Sequence, residues 1–474
     1  MSLRNKVVKG ISWSAAERFL SQFVQLAMTI VLARLLLPED FGLIALLLVF
    51  IAISQSLIDC GLSQALIQKS ERNESDFSTV FHFNVFIGIF VYVIIYSVAP
   101  SIAKLYGEPE LESLFRCMGL SPLIQGLSII QVTKLTIKVD FKVIAKASFI
   151  SIIISSLAAV YLASLGAGAW AIVVQLLLNN IINTCLLWGL VDWRPKLVFS
   201  KRSFFQLFSF GWKLLLSGLL HSIYVNSYNL VIGLKYSAAD VGFFNQASVI
   251  SRFPSIGFMA ITSRAMFPIQ CEIKDDKILL MDSFKSYLQL SHFVIFPLML
   301  GLAVLSEPLI SLVLTDKWLP MANYFSLLCI AYGLSPLMVA NNQILLVRGR
   351  SDLFLMAELV KKAIGISILL VTFPYGIDII CLGFVVYNIF DAAIGIFYSK
   401  KTTGVGYFEQ FQWIYKSTIA AFLMAVIVYF SSALFSQDWS KIIVGLLVGS
   451  VAYIYICHVL KIKLLNKMLS HIRY

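Results

Sequence analysis

The stretch FGLIALLLVFIAISQSLIDCGLSQALI, residues 41–67, holds one charged side chain, Asp59, in 27 positions. As a helix it would rise about 40 Å, more than the roughly 30 Å of hydrocarbon in a bilayer. Stretches of this kind recur along the chain, at 11–33, 79–99, 111–133, 143–163, 168–190, 207–234, 242–267, 287–305, 321–347, 352–373, 375–398, 413–435 and 442–460. With 41–67 they make fourteen expected spans. They are too long and too continuous for the alternating strands of a barrel. The composition agrees: of 474 residues 59% are hydrophobic and 13% charged, about half the charge usual in soluble domains. Soluble enzymes, nucleic-acid binders and disordered chains are excluded on that ground. The expected fold is an all-α polytopic membrane protein with short loops and no room for an extramembrane domain.

The net charge of +12 belongs to loops and not to a nucleic-acid surface. If the spans alternate, 27 of the 37 Lys and Arg fall on one side, five on the other and five within spans. Cytoplasmic loops carry such an excess, so both termini are expected in the cytoplasm. The tally on that side includes four in the segment 348–362 (Arg348, Arg350, Lys361 and Lys362). The seven cysteines show no CxxC pair and no cluster with histidine, so they read as buried free thiols. No metal site and no cofactor is expected. The basic start (Arg4, Lys6, Lys9) leads into a run interrupted by Glu17 and Arg18, which reads as a retained first helix.

The chain repeats itself. Trp13 precedes Asp40–Phe41–Gly42, and Trp212 precedes Asp240–Val241–Gly242, at offsets of 199 or 200. Both copies start on the same side, so the halves are parallel, a known transporter plan. The expected division is a lobe of spans 1–6 over 1–200, a lobe of spans 7–12 over 201–400, and two further helices over 401–474.

Polar side chains inside the membrane are costly and point to a cavity or a partner helix. Span 1 carries Arg18, Gln22, Gln25 and Thr29, with Glu17 beside them; span 2 carries Gln55 and Asp59. Span 7 carries Ser217, His221, Tyr224 and Tyr228, and span 8 carries Asn245, Ser248, Arg252, Ser255 and Ser263. Spacings of three and four put each set on one helix face. These four spans are the two copies of the repeat. Arg18, Gln22, Gln25, Gln55, His221, Tyr224, Asn245 and Arg252 are therefore the candidate cavity residues, and the acids Glu17 and Asp59 the candidates for ion coupling. The alternative for single serines and glutamines is helix-to-helix hydrogen bonding. Glu358 and Asp391 stand as lone acids in spans 11 and 12 and are weaker candidates. Pro122, Pro254, Pro297 and Pro336 fall within spans, where proline bends a helix. The chain has no glycine-rich phosphate loop, no HExxH and no GxSxG, so it is not expected to be an enzyme, and energy must come from an ion or substrate gradient.

The run Leu32–Ala33–Arg34–Leu35–Leu36 to Pro38, then Phe41–Gly42, resembles the polysaccharide-flippase branch of the multidrug/oligosaccharidyl-lipid/polysaccharide exporter superfamily. Val241–Gly242–Phe243–Phe244–Asn245–Gln246–Ala247, followed by Pro254 and Pro268, is similar to that branch's second-half motif. The motifs cover spans 1, 2, 7 and 8; length and span number match throughout. The resemblance implies a Wzx-like protein of the bacterial inner membrane, with two six-helix lobes forming a V around a polar, often basic cavity. It implies movement of undecaprenyl-diphosphate-linked oligosaccharide to the outer leaflet for lipopolysaccharide, capsule or exopolysaccharide assembly. A coupling ion (H+ or Na+) and a polysaccharide polymerase or other assembly proteins would be the partners, besides membrane lipids. A multidrug exporter of the same superfamily should show an acidic cavity, whereas the deep charges here lean basic. A membrane-embedded polymerase or glycosyltransferase would need a sizeable outer loop, which this chain lacks.

Overall fold

The two copies of the repeat start helices by the same chemistry. Leu37 N–H donates to the Asp40 carboxylate at 2.8 Å, and Pro38 occupies the first turn, where no N–H is needed. In the second copy Ser237 N–H donates to Asp240 at 3.1 Å and Asp240 N–H donates back to the Ser237 hydroxyl at 3.2 Å. An acid three residues into a helix satisfies one of its orphan N–H groups and suits the positive end of the helix dipole. The glycines that follow let these helix starts cross backbone to backbone. A Cβ on Gly42 would lie 1.7 Å from the Ala238 carbonyl oxygen, and one on Gly242 would lie 2.0 Å from that of Pro38.

The computed structural model describes residues 22–69, 71–138 and 140–462, without the side chain of His221. Two compact units, 1–242 and 243–474, divide the chain. In the first lie α1 (Gln22–Leu35), α2 (Pro38–Asp59), α3 (Leu62–Gln68) and α4 (Glu74–Tyr106). Then come the short helices α5 (Glu110–Met118), α6 (Leu120–Gly126) and α7 (Ile129–Ile137), followed by α8 (Phe141–Ser164), α9 (Ala169–Leu190) and α10 (Lys201–Lys235). Helix α11 (Ala238–Glu272) carries the chain into the second unit, which holds α12 (Lys277–Val304) and α13 (Ser306–Leu314). After a 3₁₀ segment come α14 (Ala322–Gly333), α15 (Ser335–Val347), α16 (Ser351–Thr372), α17 (Ile377–Thr403), α18 (Tyr407–Ala433) and α19 (Asp438–Val459).

Eleven helical segments among the described residues are long and apolar enough to cross a membrane. The chain is a multi-pass membrane protein, and among the described residues helix falls within each expected span, with eleven segments rather than fourteen meeting the length and hydropathy a crossing needs. Helices α11 and α16 are outside the eleven; they are the ones whose middles hold Arg252, and Glu358, Lys361 and Lys362. Of span 1 only Gln22–Leu35 is described.

Two segments are broken, and each carries the same five residues. Gly119–Leu120–Ser121–Pro122–Leu123 runs across the junction of α5 and α6, and Gly333–Leu334–Ser335–Pro336–Leu337 across that of α14 and α15. The sequence reading did not notice this second repeat. Proline cannot donate to the carbonyl four residues back and clashes with it. At Pro336 the freed acceptor is the Tyr332 carbonyl, and the Ser255 hydroxyl donates to it at 3.2 Å. At the first break the polar partners come from α9. Asn180 donates to the Ser121 hydroxyl at 2.6 Å, Thr184 to the Ile124 carbonyl at 3.2 Å, and Trp188 to the Leu127 carbonyl at 2.9 Å. Broken helices persist in membranes where neighbours satisfy the freed backbone groups in this way.

Candidate functional site

Three consecutive amides follow the second break. Asn341, Asn342 and Gln343 sit on α15, where successive residues point about 100° apart, so each meets a different helix. Asn341 exchanges two hydrogen bonds of 2.9 Å with Gln410 of α18 and accepts from Ser399 of α17. Gln343 donates to Gln270 of α11 at 2.8 Å and accepts from Ser263. Asn342 accepts from the ammonium of Lys361 on α16 at 2.9 Å.

Lys361 is the centre of the site. Its side chain is 1% exposed and its Nζ lies 2.7 Å from Asp391 Oδ1 on α17, whose side chain is 9% exposed. Glu358, one turn earlier on α16, reaches the same Nζ at 3.5 Å with its side chain 29% exposed. Tyr387 donates to the other Asp391 oxygen at 3.3 Å. An ammonium has three N–H donors, and three acceptors surround this one. The lysine is the eleventh residue of the 22-residue α16, about 15 Å along its axis and so at the middle of the helix. A buried ion pair costs desolvation that geometry must offset, and ionisable groups at such depth are functional candidates by default.

This corrects the sequence reading twice. Lys361 and Lys362 do not belong to a basic loop; they lie inside α16, and the tally on that side falls to 25 against five. Glu358 and Asp391 are not lone acids, since both hold Lys361. The missed signal was a Glu and a Lys three apart within an apolar run, behind an Asn–Asn–Gln run in the preceding span.

The predicted cavity residues are placed as follows. Arg18 and Glu17 lie outside the described residues, as does the His221 side chain. Gln22, Gln25 and Gln55 are exposed, and Tyr224 and Asn245 are half-buried. Asp59 ends α2, half-buried, and accepts from the Ser63 hydroxyl. On α11, Ser255 and Ser263 are turned to α14 and α15 and spent on hydrogen bonds there. Arg252 stays exposed.

A sequence model described as "Polysaccharide biosynthesis protein" matches residues 31–323. The chain is 25% identical over 463 residues to the teichuronic acid biosynthesis protein TuaB of Bacillus subtilis (strain 168), covering 96% of each chain. It is 26% identical over 409 residues to the lipopolysaccharide biosynthesis protein WzxC of Escherichia coli (strain K12), covering 85% of this chain and 82% of that one. Among solved structures it shares the fold of the lipid II flippase MurJ, with a TM-score of 0.78 at 16% identity over 95% of this chain and 99% of that one.

Proposed function

We infer, from the premise that this chain belongs to the polysaccharide biosynthesis protein family, that it is a flippase for lipid-linked oligosaccharide. The observation that carries the reading is likeness along nearly the whole chain to proteins named for making teichuronic acid and lipopolysaccharide. The substrate class is an undecaprenyl-diphosphate oligosaccharide, carried from the cytoplasmic to the outer leaflet of the bacterial inner membrane. Both termini are placed in the cytoplasm on the charge asymmetry. The chain acts as a transporter and not as a catalyst.

The physical demands of the cargo match the residues. A diphosphate seeks guanidinium groups, which hold it by two parallel hydrogen bonds. Arg252, exposed on α11, offers one, and Arg18 is its proposed counterpart. Gln22, Gln25, Gln55, His221, Tyr224 and Asn245 supply amides, an imidazole and hydroxyl for the sugars. Glu17 and Asp59 are proposed coupling acids, and an assembly polymerase is the proposed partner on the outer side.

The test is deletion of the gene in its own bacterium, with surface polysaccharide and precursor measured together. Loss of polymer with lipid-linked precursor retained in the inner leaflet is expected, restored by the wild-type gene. Arg252→Ala should fail to restore export at wild-type protein level, and Arg252→Lys should restore part of it. Wild-type precursor sidedness in the deletion strain would overturn the reading. Altered drug resistance with normal polymer would favour a multidrug exporter.

A further inference from the structure

The strap between α9 and α10, residues 191–200, presents apolar side chains where a loop in water should hide them. Leu197 is 97% exposed, and Val198 and Phe199 are exposed beside it. The backbone there is pinned. Lys196 N–H donates to the Ser78 hydroxyl at 3.1 Å and Ser200 N–H to the Thr79 hydroxyl at 2.9 Å, and both partners are buried on α4. Between them Val198 N–H donates to the Lys196 carbonyl at 2.7 Å. Upstream, Trp193 is buried edge-on against Phe77 and Phe81, and its indole N–H donates to Glu74. The main chain is thus tied to α4 on both sides of the three apolar residues, and their side chains are held outward.

These side chains extend a stripe on α10. Phe205, Trp212, Leu216, Leu220 and Ile223 are all exposed, and at 100° per residue they fall within about 80° of arc. From Ile223 to Phe205 the stripe rises about 27 Å, most of the roughly 30 Å hydrocarbon layer. Lys201 and Arg202 end it, four and three residues before Phe205 and so on the same face. Both are exposed. The helix itself does not account for them, since its first turn has no acid and the positive end of a helix dipole disfavours cations. The acids that start α4 are committed elsewhere. Asp76 pairs with Lys69 and Glu74 with Lys134, each at 2.8 Å, and Lys196 adds its charge to the surroundings of Glu74. Arg194 spends its guanidinium on the carbonyls of Trp188, Val191 and Trp193. Over residues 191–205 four cations stand against one acid, Asp192.

We propose that the strap and the first turn of α10 form a docking surface for anionic phospholipid of the bilayer. Leu197, Val198, Phe199 and Phe205 take the acyl boundary, and Lys196, Lys201 and Arg202 take the phosphate groups. Apolar and basic side chains side by side bind a membrane interface through both area and charge. A free anion would use the cations alone and leave the apolar row in water; lipid satisfies both. Because the strap is pinned to α4, lipid held there fixes this end of the first unit at the level of one leaflet. The surface concerns lipid of the membrane and not the cargo, so it stands or falls apart from the flippase reading.

The test is native mass spectrometry of the full-length protein in detergent, titrated with phosphatidylglycerol or with phosphatidylcholine of the same chain length. Wild type should bind phosphatidylglycerol more tightly. Each cation at an anionic surface is worth about fivefold in affinity. Lys201→Gln combined with Arg202→Gln should therefore weaken phosphatidylglycerol binding by about tenfold or more and leave phosphatidylcholine binding unchanged. Lys201→Arg combined with Arg202→Lys should keep the preference, and Leu197→Asp should weaken the binding of both lipids. Equal affinity of wild type for the two lipids, or an unchanged preference in the Gln double variant, would overturn the proposal. Displacement of the lipid by millimolar inorganic phosphate, with no effect of Leu197→Asp, would mark a free-anion site and overturn it as well.

Discussion

The two broken segments carry the same five residues and lead to opposite kinds of chemistry. After Gly119–Leu123 the chain runs through α6 and α7 to Lys134, whose ammonium pairs with Glu74 at 2.8 Å and lies 4.4 Å from the Phe77 ring centre. Glu74 also accepts from Trp193 at 2.6 Å and is half-exposed. These charges sit at helix ends, where long side chains reach water. After Gly333–Leu337 the chain runs through Asn341, Asn342 and Gln343 to a lysine held mid-helix. The break is thus shared architecture, and among the described residues a buried lysine follows it in the second unit alone.

The contrast is broken most sharply at Asp391. Asp391→Asn leaves Lys361 without its close anion, and removing one member of a buried pair costs about 3–5 kcal/mol. Protein level in the membrane, by immunoblot, should drop severely. Lys361→Met combined with Asp391→Leu should recover level but not export, because the charge goes while the packing volume stays. Wild-type level for Asp391→Asn alone would show that water reaches the pair.

A smaller effect is expected at Ser255. Ser255→Ala takes the donor from the Tyr332 carbonyl, and such interhelical bonds average about 0.6 kcal/mol in membranes. Thermal unfolding in detergent should shift down slightly, and Asn180→Ala at the first break should match it. Very different shifts would mean the two breaks are not equivalent. The smallest change belongs to Lys134→Ala. The pair with Glu74 is near the surface and worth about 1 kcal/mol at most, so export and melting temperature should barely move.

Most of the architecture was readable because apolar length alone fixes a spanning helix. Asp40 and Asp240 were readable as a repeat, and the structure supplies the reason in helix capping. The Gly–Leu–Ser–Pro–Leu repeat was equally visible, but its offset of 214 differs from the expected 200. Lys361 was misplaced because Arg348 and Arg350 stand close by in sequence. The expected span 352–373 already contained it, and its partner 30 residues later, one helix away, is what shows it to be paired. Arg252 was legible as a polar-face residue, yet its neighbours Ser255 and Ser263 turned out to serve the helix contacts. Periodicity places side chains on a face and does not say which of them the next helix uses.

Gly42 and Gly242 bind the two copies of the repeat to a common fate. Each has the other copy's main-chain carbonyl where its own side chain would grow. If the copies arose by duplication, they were free to diverge at 41 and 241, where phenylalanine and valine now stand, but not at these two sites. An obstacle made of backbone cannot be trimmed by a second mutation, as an oversized side chain can. In a saturation library scored for export, positions 42 and 242 should reject all side chains, and no pairwise combination should rescue either one.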